Sequence, residues 1–220
     1  TVAFLDTLKY IEKNGLLYAG GGRNKEEALG GAIIEKNGIK VGFLAFAKVV
    51  PSVEWYAGKN KPGIVGAYKV HEKEFVKAIQ DIKQVCDVLV VSVHWGQESS
   101  TVIREEEQYI GRCMIDAGAD IILGHHPHQF QGIEIYKGKP IIYSLGNFIF
   151  DQNDPENQEG FIVNLVYKGN ELVEMTAVPI RTIGKIQVVP LQYEDAKDLL
   201  AREVALCEEL DTRCTIKDNI

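Results

Sequence analysis

Hydrophobic spacing along the chain alternates between helical and strand-like periods. Phe4, Leu5, Leu8 and Ile11 recur at helical spacing over Val2–Lys13, and Asn14-Gly15 stops the helix this predicts. "LLYAGGG" reads as a short strand entering a glycine turn, and "NKEEALGGA" as a short helix capped by Asn24. In "IIEKNGIKVGFLAFA" two strands flank Asn37-Gly38, the sequence form of a two-residue hairpin. Residues 51–66, rich in glycine, lysine and aromatic side chains, read as a long surface loop of the kind that often carries function.

Downstream, "HEKEFVKAIQDIKQVC" is an amphipathic helix leading into the almost wholly apolar "DVLVVSVHW". A second helix, "REEEQYIGRCMIDAG", precedes the apolar strand "ADIILG", and two more strands follow in "IEIYKG" and "KPIIYSLGNFIF". Helices alternating with continuous apolar strands predict an α/β fold, with a sheet buried on both faces. Beyond Asp151 the pattern becomes antiparallel, "GFIVNLVYKGNELVEMTAVPI", turning at Gly169-Asn170, before a closing helix in "EDAKDLLAREVALCEEL". No repeat or internal boundary stands out, so residues 1–220 read as one domain.

The polar groups sit where these strands end. "DVLVVSV" runs into "HWGQE" (His94 to Glu98), "ADIIL" into "GHHPH" (His125, His126 and His128), and "KPIIYSL" into "GNF" with Asn147. The carboxyl ends of strands are where α/β sheets form ligand sites. Imidazole, carboxylate and amide oxygen together suit zinc, manganese or iron. Taken singly, His94 reads as a hydrogen-bonded strand-end residue, Glu98 as a solvated carboxylate, Asn147 as a turn residue and His71 as a surface residue. The His-Pro-His alternation carries more information, because it lets two imidazoles reach adjacent coordination positions.

Composition narrows the partners. With 45% hydrophobic and 25% charged residues the chain is typical of globular domains. Its formal net charge of −7 argues against nucleic acid, whose phosphates call for clustered cations. No apolar run is long enough for a membrane span, and the amphipathic start is no signal peptide. Four cysteines follow no CxxC spacing. Cys86 and Cys113 read as buried thiols, whereas Cys207 and Cys214 could pair only in an oxidising compartment.

"SVHWGQE", "GADIILGHHPHQFQGIEIYKGKPIIYSLGNFIFD" and "DTLKYIEKNGLLYAGGGRNKEEA" resemble the bacterial capsule-synthesis protein CapA family. The likeness runs from Thr1 to about Asp151. It implies a layered, calcineurin-like metallophosphoesterase sandwich, with mixed sheets flanked by helices. By that resemblance His94, His126 and His128 are metal ligands and Glu98 is an acid/base or neighbouring group; His125 and Asn147 lie near the site. The family's upstream GD strand and NNHxxD element have no counterpart here, so the chain resembles an N-terminally truncated member with half a metal site. The resemblance further implies a metal-dependent hydrolase in the intact protein, and a divalent ion bound partially or not at all by this chain. Partners would be poly-γ-glutamate or its carrier and the capsule synthase components, at the outer face of the bacterial membrane through an anchor upstream. A non-catalytic scaffold of a capsule synthesis or export complex is the alternative.

Overall fold

The computed structural model describes residues 2–217. The chain forms two compact units, Thr1–Trp95 with Gln108–Ile122, and Gly96–Glu107 with Leu123–Ile220. Among the described residues no helix is long and apolar enough to cross a membrane.

The first unit opens with α1 (Val2–Lys13), a two-residue strand β1 (Gly21–Gly22) and α2 (Lys25–Leu29). Asn24 caps α2 by accepting from the Glu27 amide, as its sequence position predicts. β2 (Ala32–Lys36) and β3 (Ile39–Ala47) form the expected hairpin, with Asn37 and Gly38 at φ of 56° and 77°. Both turn residues must be left-handed there, which an Asn-Gly pair tolerates. β4 (Gly63–Ile64), α3 (Glu72–Lys83), β5 (Val88–His94), α4 (Glu105–Ala117) and β6 (Ile121–His125) follow, with the unit boundary falling within α4 and again within β6. β5 lies parallel to β3, pairing His94 with Ala47, and the order is β2-β3-β5-β6. α3 buries Phe75, Ala78 and Ile79, the apolar stripe of its sequence. Phe75 meets Phe46 edge-on at 6.1 Å. Emptying such a site costs about 3–5 kcal/mol for Phe→Ala.

Residues 51–66 differ from the surface loop that their composition suggests. Ala57, Gly63 and Val65 are buried, and Gly63–Ile64 pairs antiparallel with Gly21–Gly22. "LLYAGGG" correspondingly supplies only those two glycines to a strand, and Leu16 and Leu17 stay exposed. Close backbone approach explains both outcomes. A Cβ at Gly63 would collide with the backbone of Trp55 and Tyr56.

In the second unit, the end of β6 is followed by β7 (Phe130–Tyr136) and β8 (Lys139–Leu145), in the order β6-β8-β7. β9 (Glu159–Lys168), β10 (Glu171–Ile183) and β11 (Gln187–Pro190) make a three-stranded antiparallel sheet, the tail architecture expected over residues 160–181. α5 (Tyr193–Glu208) packs on β7, where Gly132 lets the strand approach the Leu206 carbonyl. Phe130, Phe161, Leu191, Ala196 and Leu199 form its core, with a neighbouring cluster of Ile133, Ile142 and Cys207.

One acid lies inside that packing. Glu203, 7% exposed, accepts only the Cys207 thiol at 3.4 Å, and among the described residues its Oε2 has no hydrogen-bond partner. Burial pushes its pKa up to about 8, against a smaller lowering by the Cys207 hydrogen bond. The folded chain therefore holds this proton more tightly than the unfolded one, whose glutamate titrates near 4.5. The stability it confers is complete below pH 4.5 and drains away as the pH rises through 8, on the order of a few kcal/mol in all. Urea unfolding across pH 5–8 should show this decline, and Glu203→Gln should flatten it. An unchanged slope in the variant would assign the decline to other groups.

Candidate metal centre

The loop after β6 holds an unusual backbone. His126 and His128, on either side of buried Pro127, have φ of 105° and 64°. Left-handed conformations at non-glycine residues cost about 1–3 kcal/mol each and persist only where the surroundings impose them. Here the surroundings come from the loop downstream of "HWGQE". Ser99 donates its amide to the Pro127 carbonyl at 2.8 Å. Gly96, at φ 90°, lies so near the proline that a Cβ there would stand 2.9 Å from Pro127 Cγ. Gln131, 2% exposed, ties β7 to the same loop through the carbonyls of Ser100 (2.9 Å) and Val102 (3.2 Å).

The two imidazoles lie at a ring separation of 6.0 Å, with 54° between their planes. His128 Nδ1 lies 2.9 Å from Asn147 Oδ1, and Asn147 Nδ2 donates to the Asn157 carbonyl at 2.8 Å. That chain of contacts fixes protons. The Asn157 carbonyl can only accept, so the Asn147 nitrogen must face it and the amide oxygen must face His128. His128 is then protonated on Nδ1, which leaves the Nε2 lone pair available. An imidazole oriented through its second nitrogen is the usual partner of a bound divalent ion. Phe150, 44% exposed, packs on the His128 ring at 5.0 Å.

Burial holds His126 below its ordinary 6.5, helped by His128 and Arg104 and opposed by the Glu98 carboxylate. Near neutral pH it is an uncharged imidazole, the form that binds metal. Glu98 itself is exposed and bears on His126 through charge. Arg104 is gripped by Glu107 through two hydrogen bonds of 2.8 and 2.7 Å. His125, still in β6, is half-buried, and burial lowers its pKa too.

His126, His128, Asn147 and Glu98 thus belong to the second unit. His94 ends β5 in the first, exposed, with its carbonyl accepting from Lys48 at 2.7 Å and Val49 at 3.3 Å. His71, expected at the surface, is instead half-buried between Tyr56 and Tyr68, at 5.8 and 6.0 Å. Among the described residues no three His, Cys, Asp or Glu side chains are grouped to hold a metal ion. The donor set present suits part of a shell: two imidazoles, one of them oriented for ligation. Two contributors lie outside the residues that the sequence singled out: Asn157, in a polar loop with no signal to mark it, and Gln131, three residues after His128.

These residues define a histidine-bearing loop that closes a strand of an α/β chain. Residues 1–152 match the family described as bacterial capsule synthesis protein PGA_cap, and the chain belongs to that family. It is 33% identical over 215 residues to the PGA biosynthesis protein CapA of Bacillus subtilis (strain 168), covering 97% of this chain and 53% of that protein. Identity to the capsule biosynthesis protein CapA of Bacillus anthracis is 34% over 178 residues, covering 80% and 43%. The chain spans about half the length of these relatives. Among solved structures, a hypothetical protein of Thermus thermophilus is similar with a TM-score of 0.45 and 14% identity, over 70% of this chain and 62% of that one.

The hydrogen-bond chain makes a prediction about His128. Imidazole nitrogen shifts in long-range proton–nitrogen spectra should report an Nδ1-protonated ring. Asn147→Ala should release the ring to a mixture of tautomers, with the fold retained by circular dichroism. A ring already mixed in the unsubstituted chain would refute the assignment.

Proposed function

We propose that this chain is part of a capsule-synthesis protein of the poly-γ-glutamate type, and that His126 and His128 supply imidazole ligands to its divalent metal site. Family membership and the names of the Bacillus relatives support the capsule role. The observation that carries the metal reading is the Asn157–Asn147–His128 hydrogen-bond chain, which presents Nε2 as a lone pair.

When bound, a zinc, manganese or iron ion would acidify a water and offset negative charge developing on a phosphoryl or acyl oxygen. The protein's own residues do the rest. Asn147 holds the His128 proton on Nδ1. Burial favours the neutral form of His126. Glu98, exposed and bearing on His126 through charge, would accept or return a proton from an attacking water or a leaving group. The intact protein would act as a metal-dependent, phosphoesterase-like hydrolase on the polymer or its carrier. A shell of two imidazoles is short of the three protein ligands common in catalytic zinc sites, so this chain alone should hold at most one ion, weakly.

Titration of this chain with zinc or manganese, followed by calorimetry and elemental analysis, tests the reading. At most one weakly held ion per chain is expected, with binding falling at least tenfold in His126→Ala and in His128→Ala and unchanged in a His71→Gln control. Hydrolysis of a model phosphodiester should stay at background. Two tightly held ions, or binding indifferent to both histidines, would overturn it.

A further inference from the structure

Cys207 and Cys214 are free thiols brought together by the way the chain leaves α5. The helix ends in a tight turn in which Leu210 and Thr212 both donate their amides to the Cys207 carbonyl, at 3.0 and 2.9 Å, with Asp211 left-handed at φ 57°. Thr212, 7% exposed, then anchors the tail to β7 by accepting the Ile135 amide at 3.1 Å. The reversal returns Cys214 to the helix it has just left, within hydrogen-bonding reach of the Cys207 thiol. Both cysteines line the same cavity of about 600 Å³ between α5, β10 and the tail.

We propose that Cys207 and Cys214 are a redox pair which closes to an intrachain disulfide, fastening the tail across the end of α5. The two thiols are not equivalent. Cys214 is exposed and can meet an oxidant, whereas Cys207 is fully buried with its sulfur already accepting the Ile133 amide at 3.3 Å. With glutathione disulfide as oxidant, the Cys214 thiolate attacks one glutathione sulfur, breaking that S–S bond and releasing a first glutathione thiolate. The Cys207 thiolate then attacks the Cys214 sulfur, forming the intrachain bond and releasing the second. Two protein thiols are oxidised, two glutathiones are formed, and the two thiol protons end on them. The Cys207 thiol donates to Glu203 Oε1, and that carboxyl can take the thiol proton only once it is itself ionised, above about pH 8. Burial raises both thiols above their ordinary range, so closure is slow at neutral pH and quickens as the pH rises.

The sequence makes the product easy to recognise, because trypsin cleaves after Arg202, Arg213 and Lys217 and so places the two cysteines in separate peptides. The folded chain is incubated in glutathione redox buffers, acid-quenched, alkylated and digested without reduction. The expected product is the peptide 203–213 joined to the peptide 214–217, with an intact mass lower by two hydrogens. Cys207→Ser should stop at a stable glutathione adduct on Cys214. Cys214→Ser, which touches only an exposed position, should leave Cys207 unmodified. Full alkylation of both thiols in oxidising buffer would overturn the proposal. So would a persistent glutathione adduct on Cys214 of the unsubstituted chain, or linkage to Cys86, Cys113 or a second chain.

Discussion

The backbone around Pro127 is the constraint on which the candidate site depends. The positions on either side of it, His126 and His128, sit in left-handed conformations that a β-strand would never impose. Their cost is met by the loop from Gly96 to Val102, which contributes an amide to Pro127, a glycine surface against its ring and two carbonyls to Gln131. On a regular strand His126 and His128, two residues apart, would simply point out of one face. On this strained loop their rings lie 6.0 Å apart with 54° between their planes. A larger residue at Gly96 would press on Pro127 and loosen both histidines without touching either.

The chemistry then follows from what surrounds the rings. Asn147 converts a backbone carbonyl, which carries no choice of direction, into a fixed proton on His128. Asn157 is itself 4% exposed, so the carbonyl that begins this chain is held in the interior and does not drift with solvent. His126 is tuned by its environment, with burial, His128 and Arg104 keeping it neutral against the pull of Glu98. One histidine is set by a hydrogen bond and the other by burial and charge. Metal ligation needs both outcomes, an oriented ring and an uncharged one.

Much of this was legible from spacing. Asn37-Gly38 fixed a hairpin because only certain residues tolerate two left-handed positions, and the apolar stripes of α3 and α4 read directly as buried faces. The histidine loop was legible too, since three imidazoles in four residues need explaining. Two readings failed because burial was decided by contacts that local spacing does not show. Residues 51–66 look like a solvated loop until Gly21–Gly22 pairs with them. His71 looks like a helix-start residue until Tyr56 and Tyr68 close on it. The converse also occurs. "KPIIYSLGNFIF" is apolar to its end, yet β8 stops at Leu145, and Phe148, Ile149 and Phe150 stand 55%, 58% and 44% exposed because Gly146 turns the chain at φ 72°.

The second unit's buried acids show how far position on one helix decides chemistry. Arg202 and Glu203 are neighbours in α5, about 100° apart around its axis. Arg202 reaches Glu159, which also pairs with Arg181 at 2.8 Å, and lies over the Phe130 ring at 5.1 Å. Glu134, equally interior, accepts the Tyr143 hydroxyl at 2.6 Å. These acids have strong donors, whereas Glu203, turned to the other side, has only a thiol, one of the weakest donors a protein possesses. A glutamine or leucine there would remove the penalty of burying an acid, so packing alone does not account for the carboxyl. Its neighbours do give it a use, because the thiol that donates to it is one of the two that the tail brings together. Held protonated until about pH 8, this carboxyl can take the thiol's proton only in the alkaline range where the two sulfurs join fastest.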